Sequence, residues 1–507
     1  MCSATRAFAG TKLVDPNCTL PCYQTIQSAV DAAVHQDTIV VVSGTYEEQV
    51  KVYPAAGDTN QFYISFMPDD LMAEPPQIRW SYTDTGYILC REWAGAFEIH
   101  NDRLDPSGRR CHDMRVTLKA FEVIGEDDAA ALGVFNAADD PAQSYATGLF
   151  IEDNYFESEH HCDGTVVIGN KGRYADEAFG QSPKWGHFLN NEVVGNIDAV
   201  TTYHFAVTAR NNRLQAGSEG WHLGAGRIDT TAPSSVPDSL ESLFEHNLFY
   251  CSGMLGLHFV HGSKGIVRNN IFSRNQEEGA LVSHALYLGE PPTPSDPMCA
   301  VDSTECFAPA VNGTVVPTEV VAHNNVIDIT DGNGLRVHEL CIATLYANTI
   351  TRSGTQTAEQ PAFEVVGPNP GTQPLLSTDY ELLWANDLDY ADSILVGAND
   401  INDDTPGGSN PRYQGVIPDG SGVAKYSYML KTISNPVCGY AAAANDSKAI
   451  DQGPPGTAYA DSSSPPGVGL TTCDIGAYGG KHNIWDPTGV DLCLEYVEAV
   501  GNCNLGQ

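Results

Sequence analysis

The chain has 507 residues, 64 of them acidic and 26 basic, with a formal net charge of −38 and 42% hydrophobic residues. That apolar fraction can bury a large core, which excludes wholesale disorder, collagen-like repetition and a coiled coil. The charge, with no run of clustered Lys or Arg, argues against nucleic acid and an anionic membrane as partners, because either polyanion would be repelled.

At about 150 residues per domain the length suggests three domains, but in a repeat fold one core can run through hundreds of residues. The opening MCSATRAFAG has no basic n-region and no apolar core, and no apolar stretch reaches the ~18 residues of a membrane span. A mature secreted protein whose signal has been removed is expected. The 14 cysteines include the local pairs Cys18/Cys22, Cys299/Cys306 and Cys493/Cys503, and read as disulfides formed in an oxidising compartment. Zinc is the competing reading, but no second CxxC-like pair or HxxxH partner lies near Cys18 and Cys22.

Residues 1–24 form a disulfide-bearing N-terminal segment. Residues 25–34, TIQSAVDAAV, have helical apolar spacing and predict a cap helix, followed by a strand over 38–42 and a turn at SGTY. Asparagine, often doubled, then recurs at Asn154, Asn191, Asn212, Asn247, Asn270, Asn325, Asn348 and Asn386. Separations of 21 and 23 residues suit one turn of a solenoid, and the longer ones suit a turn with an inserted loop.

Three positions before each Asn stand Ile151, Phe188, Ala209, Phe244, Val267, Ala322, Leu345 and Leu383. Two positions after stand Phe156, Val193, Leu214, Phe249, Phe272, Ile327, Ile350 and Leu388. Every one is apolar. Each rung therefore reads as an inward residue, a bend carrying Asn, then an inward residue on the next short strand. An Asn side chain both donates and accepts, so the bend amides would stack as a ladder. Strands this short, without helical periods between them, are not βαβ units; they fit coils of a parallel β-helix over 25–480, with an irregular segment at 481–507.

The segment TIQSAVDAAVHQDTIVVVSGTYEEQVKV resembles the start of the pectate-lyase-like right-handed β-helix superfamily. KAIDQG (448–453) with TTCDIGAYGG (471–480) resembles the closing motif of bacterial choice-of-anchor Q surface proteins. Together the two cover about residues 20–480 and imply an all-β, right-handed parallel β-helix. They select no chemistry, because the superfamily hosts lyases, hydrolases, esterases, epimerases, adhesins and tailspikes. The DFIFG-type segment that carries a catalytic Asp in pectin methylesterases does not occur here. Beyond Tyr478 an anchored homologue would have a sorting signal or hydrophobic tail, whereas this chain has a cysteine-bearing one.

Aligning the coils places histidine in the strand before the next Asn five times over, in TTYHFAV, GWHLGAG, GLHFVHG, LVSHALYL and GLRVHEL: His204, His222, His258 with His261, His284 and His338. After the glycine that opens the strand, Trp221/Leu223, Leu257/Phe259, Ala280/Val282 and Leu335/Val337 are apolar and inward. His222, His258, Leu281 and Arg336 then point outward, with His204 and His338 at the next outward place. Rungs lie ~4.8 Å apart, so His222 and His258 are expected as neighbours on one face.

Imidazoles at that spacing suit a transition metal, with His222, His258 and His284 as candidate ligands, or a general base, with His204, His222 and His258 as candidates. A half-buried structural stack is the third reading. Arg227 and Lys264 complete the candidate catalytic set, and Arg336 joins them in neutralising the substrate carboxylate, as a lyase must before an α-proton is removable. Tyr203, Tyr287 and Trp185 are candidate sugar-stacking rings, bordering a Pro-rich insertion at 291–297 that would line the same face. Arg210, Glu245 and Arg268, two positions before successive Asn, form a salt-bridge column that needs no function. The resembling pectate lyases use calcium, for which the oxygen-rich loops DITDGN (328–333) and NDINDD (399–404) are candidates, although neither has EF-hand spacing.

The sequence thus predicts a secreted or cell-surface β-helix that binds or processes an extracellular polysaccharide, most sharply as a polysaccharide lyase or glycoside hydrolase, with calcium or a transition metal as candidate cofactor. A non-enzymatic adhesin or structural element, and a metal-binding β-helix, are the competing expectations.

Overall fold

The computed structural model describes residues 10–18, 21–54, 61–82, 94–101, 111, 113–136, 146–158, 164–168, 184–195, 197–203, 205–224, 241–260, 263–275, 284–289, 310–311, 314–315, 318–330, 332–338, 341–354, 361–366, 375–386, 388–390, 397–402, 410–411, 413–417, 425–430, 447–456, 459, 461, 472–477, 479, 482 and 497–498. Strands that follow one another in a coil lie in different sheets. Lys184–Leu189 pairs in parallel with Ala206–Arg210, Glu192–Gly195 with Arg213–Ala216, and Asp198–Tyr203 with Glu219–Gly224. Three strands make one coil, and each coil hydrogen-bonds to the next. The coils build a first sheet of 12 strands and a second and third of 11 each. The architecture is a right-handed parallel β-helix, the hand that crossovers between parallel strands take.

A single apolar cluster runs up the inside from Val14 to Leu383. Within it the Trp221 ring lies edge-on to Phe188 and Phe244, with centroids 5.4 and 5.0 Å away. The flanking residues from Ile151 to Leu345 and from Phe156 to Ile350 are all 3% exposed or less, as the rung pattern requires.

The doubled asparagines have two different tasks. The residue before each ladder position adopts the left-handed conformation: Asp153, Asn190, Asn211, His246, Asn269, Asn324 and Ala347 have φ of 54–58°. Asn tolerates that region better than other residues with a Cβ, which explains why it recurs there. The second Asn points along the stack. Nδ2 of Asn191 donates to Oδ1 of Asn212 at 3.1 Å, Asn212 to Asn247 at 2.9 Å and Asn247 to Asn270 at 3.0 Å, and the chain continues through Asn325 to Asn348. The same Oδ1 accepts the backbone N–H of the previous rung, as Asn212 does from Asn191 at 2.9 Å.

Asn386 does not belong to this ladder. Register pairs Thr349 with Leu382, which puts Glu381 opposite Asn348. Asn386 sits one bend later, donating to the Ile350 carbonyl at 3.1 Å, and its supposed inward flank Leu388 is 47% exposed.

At the N-terminus the helix Ile26–Asp31 buries Ile26, Ala29 and Val30, and the Thr25 hydroxyl accepts the Ser28 N–H at 3.1 Å. The Glu48 carboxylate takes the N–H groups of Ile26 and Gln27. Strand Thr11–Val14 precedes the helix and joins the first sheet. Cys18 and Cys22 form a disulfide, and Cys251 is disulfide-bonded. Cys111, Cys341 and Cys473 are buried thiols, which corrects the reading of every cysteine as paired. At these positions sulfur serves as a small apolar group. Cys299, Cys306, Cys493 and Cys503, and the insertion at 291–297, lie outside the described residues.

The last coil strands are Leu382–Trp384 and Leu388–Tyr390. The chain then returns along the outside of the second sheet, where Ala449, Cys473, Ile475 and Ala477 pack on Leu248, Ile271, Val326 and Leu382. The left-handed Asn269 donates to the carbonyls of Ala477 and Gly479, and the Gly476 N–H bonds to the Ala347 carbonyl. Tyr413–Ile417, Lys425–Leu430 and Val497–Glu498 form a separate antiparallel sheet. Among the described residues no helix is long and apolar enough to cross a membrane.

Candidate functional site

One outward column of the third sheet carries Thr201, His222, His258, Tyr287, Arg336 and Glu364 on successive rungs. Alternation produces it: the neighbours Trp221, Leu223, Leu257, Phe259, Leu286, Leu288, Leu335 and Val337 are inward and at most 2% exposed. The column is nevertheless sheltered from water, with His258 7% and Tyr287 5% exposed.

Glu219 joins the column because alternation fails at Gly220. A Cβ at position 220 would lie 2.5 Å from the Gly256 carbonyl oxygen and 3.1 Å from a Phe249 ring carbon, so this position faces inward along with Trp221 and leaves Glu219 facing out. The Glu219 N–H is fixed by Asp198 Oδ1 at 3.1 Å. Its carboxylate accepts Nδ1 of His222 at 2.8 Å and reaches Nδ1 of His258 with both oxygens at 3.1 Å. The two imidazoles meet edge to face, centroids 4.8 Å apart, and the Tyr287 ring lies 4.9 Å beyond His258. The Tyr287 hydroxyl donates to Nε2 of His338 at 2.5 Å. Arg336 is ion-paired with Glu364 at 3.0 Å, its guanidinium 5.8 Å from the Tyr287 ring centre.

Charge in the cluster is uneven. Burial favours the neutral form of Glu219, but the positive charges and hydrogen bonds of His258 and His222 outweigh it and hold the carboxyl well below its ordinary range. Burial, then the charges of Arg336 and His258, push His338 down to about 4, so near neutral pH it is the acceptor for the Tyr287 proton. In its neutral form, an imidazole of His258 that gives Nδ1–H to Glu219 keeps its lone pair on Nε2. That atom of His258 is buried and has no hydrogen-bond partner among the described residues. One carboxylate oxygen and two imidazole nitrogens also lie within 4.8 Å of one another, a donor set that suits a transition ion.

Of the predicted site residues, the structure brings together His222, His258, Tyr287 and Arg336. Tyr287, expected as an exposed sugar platform, is buried, and it takes the rung assigned to Leu281. The strand is His284–Leu288, so Tyr287 rather than Leu281 faces His258, and His284 pairs with Leu255. Ala280, Leu281 and Val282 lie outside the described residues, as do His204, His261 and Arg227 and the side chains of Tyr203 and His284. Lys264 is in the first sheet, ion-paired with Glu319 at 2.9 Å. Trp185 is also in the first sheet, beside Phe150 and His187. The expected column Arg210, Glu245 and Arg268 is present.

The described carboxylates of the candidate calcium loops are engaged by the protein itself. Asp328 is fully buried against Thr351 and Arg352, and Asp400 accepts from Gly397, Glu381 and Tyr390. Asp331, Asp403 and Asp404 lie outside the described residues.

Sequence reasoning missed Glu219, whose only trace is the string Glu-Gly-Trp-His; strict alternation puts that Glu and His on opposite faces. It also missed a second group lower in the same column. There Glu98, 3% exposed, accepts from His100 at 2.8 Å and Gln49 at 3.0 Å and is ion-paired with Lys51 at 3.4 Å.

No family model and no curated protein matches the chain. Among solved structures it is similar to the pectate lyase Pel9A, at 12% identity over 93% of this chain and 96% of that one, with a TM-score of 0.41. It is also similar to the pectin methylesterase from Aspergillus niger in deglycosylated form, at 10% identity over 77% of this chain and 92% of that one, with a TM-score of 0.33. At such identities the likeness concerns the fold alone. The resemblance of 448–480 to choice-of-anchor Q proteins gains no support from these comparisons.

Proposed function

We propose that the protein is secreted and processes an extracellular polysaccharide, in its sharpest form as a lyase that removes the α-proton of a uronate residue. One atom carries the reading. Glu219 holds His258 by Nδ1, and the opposite nitrogen is buried beside Tyr287 with no hydrogen-bond partner among the described residues. A carboxylate that fixes an imidazole by one nitrogen and leaves the other as acceptor is the arrangement of a positioned general base.

In the reaction His258 Nε2 takes the proton α to the substrate carboxylate, a carbon–carbon double bond forms, and the bond from the β-carbon to the glycosidic oxygen breaks. The leaving oxygen takes the proton shared by Tyr287 and His338. Arg336, on the rung beyond Tyr287, is the cation for the substrate carboxylate. Elimination is favoured over hydrolysis because hydrolysis calls for two working carboxyls. Here Glu219 is engaged by two imidazoles and Glu364 by Arg336. The Cys18–Cys22 disulfide supports an oxidising compartment.

Incubation with a panel of uronate-containing glycans tests this. The unsaturated product absorbs in the ultraviolet, so rising absorbance that is lost in a folded His258→Ala variant is the expected result. A flat trace across the panel would put the non-enzymatic adhesin ahead.

A further inference from the structure

We propose that Glu219, His222 and His258 bind one divalent transition ion of the Zn2+, Co2+ or Ni2+ kind, and that the bound ion switches the site off by turning His258 from a proton acceptor into a donor. The first half stands on the donor set, and the second half rests on the reading of His258 as the base.

The donors are two imidazole nitrogens and a carboxylate oxygen within 4.8 Å of one another. The nitrogen–oxygen separations of 2.8 and 3.1 Å are those of hydrogen bonds. They are also close to the ~2.9–3.4 Å edges of a polyhedron whose metal–ligand bonds are ~2.0–2.2 Å. A modest turn of one ring about its last torsion, which is broad for histidine, closes the remaining spread. Two nitrogens with one oxygen and open positions suit borderline transition ions, whereas Ca2+ and Mg2+ seek oxygen alone. The Glu219 N–H held by Asp198 at 3.1 Å steadies the ligand strand from behind. His258 is 7% exposed, and among the described residues its Nε2, the nitrogen to which the proton would pass, has no hydrogen-bond partner.

The switch follows from the imidazole itself. When the ion takes the Nδ1 lone pair of a neutral ring, the proton that faced Glu219 moves to Nε2. One nitrogen–metal bond forms, one proton changes place, and the ring stays neutral. Nε2 then carries hydrogen and has no lone pair with which to accept a substrate proton.

The test is calorimetric titration of chelator-stripped protein with Zn2+, with Ca2+ as the contrast, alongside the glycan assay at each occupancy. One Zn2+ site per chain is expected, weakened 10-fold or more in His222→Ala and in Glu219→Gln and unchanged in the remote His187→Ala, with no comparable Ca2+ site. Circular dichroism checks that each variant is folded. Activity in the stripped protein should fall as Zn2+ occupancy rises. Absence of Zn2+ binding, or equal binding in folded His222→Ala and Glu219→Gln, overturns the site. Activity that rises with Zn2+ overturns the switch. Zn2+ binding by a protein inactive in both states overturns the lyase reading and leaves the site standing.

Discussion

Asn348 and Glu381 meet at the last rung of the bend ladder, where the backbone N–H and Nδ2 of Asn348 donate to the two carboxyl oxygens at 2.9 and 3.1 Å. A carboxyl thus stands where the coils below place an amide. Glu381 is fully buried, and burial first, then the charge of Asp400, raises its pKa well above the ordinary value.

That displacement has a sign. With its folded pKa raised, the contribution of Glu381 to stability is complete below the unfolded carboxyl range and is lost as pH rises through the folded value. A tenfold change in the acidity of a carboxyl on folding corresponds to about 1.4 kcal/mol. Glu381→Gln keeps a neutral acceptor for Asn348 and removes the titration. Its midpoint of thermal unfolding should match the parent near pH ~4 and exceed it near pH ~8. A variant that is less stable at both values would contradict the assignment.

Glu245 predicts the opposite limb. Burial opposes its ionisation, but Arg268 and Arg210 overcome it and lower its pKa. Its contribution is complete above the unfolded carboxyl range and lost as pH falls through the lowered value. Glu245→Gln should cost about 2–3 kcal/mol near neutral pH and less in acid, below the full cost of breaking a buried pair because Arg210 is 42% exposed. Urea denaturation at both pH values measures the difference.

The fold was legible because its repeat is written in residue types that the bend demands. Asn-Asn encodes a left-handed residue followed by an interstrand amide, and apolar flanks at fixed offsets encode the interior. Glu381 was not legible, since at the last rung only an acceptor is needed and a carboxyl supplies one as well as an amide does. The site was half legible. Parity placed His222 and His258 side by side, but parity fails at Gly220, where close approach of the Gly256 backbone turns Glu219 outward. Tyr287 was not legible because its strand begins only at His284, further beyond Asn275 than Leu255 lies beyond Tyr250 in the preceding coil, so the glycine at 279 does not mark the strand start.

The two members of each Asn pair should respond differently to substitution. Asn247 is fully buried and bonds to Asn212, Asn270 and the Ala209 carbonyl. Asn247→Ala strands donors on Asn212 and an acceptor on Ala209, at a cost of roughly 3 kcal/mol or more. Asn211, at φ 56°, supplies conformation, so Asn211→Gly should stay within about 0.5 kcal/mol while Asn211→Val loses about 1–2 kcal/mol. Chemical denaturation of the three variants separates ladder from bend.

If Glu219 orients the base, Glu219→Gln should impair chemistry without unfolding the column. The amide oxygen accepts only one imidazole N–H well, and the amide nitrogen, itself a donor, faces the other Nδ1. That ring must then move its proton to Nε2, the nitrogen that has to accept one. A loss on the order of 10²–10⁴-fold in kcat is expected, with KM little changed, since the residue does not hold substrate. Tyr287→Phe keeps the ring against His258 and removes only the proton shared with His338, so it should slow protonation of the leaving oxygen while leaving abstraction intact. A substrate with a more acidic leaving group should therefore rescue Tyr287→Phe and not Glu219→Gln. Equal rescue of both, or a Glu219→Gln enzyme with the parent kcat, would mean that the carboxylate only braces the two rings.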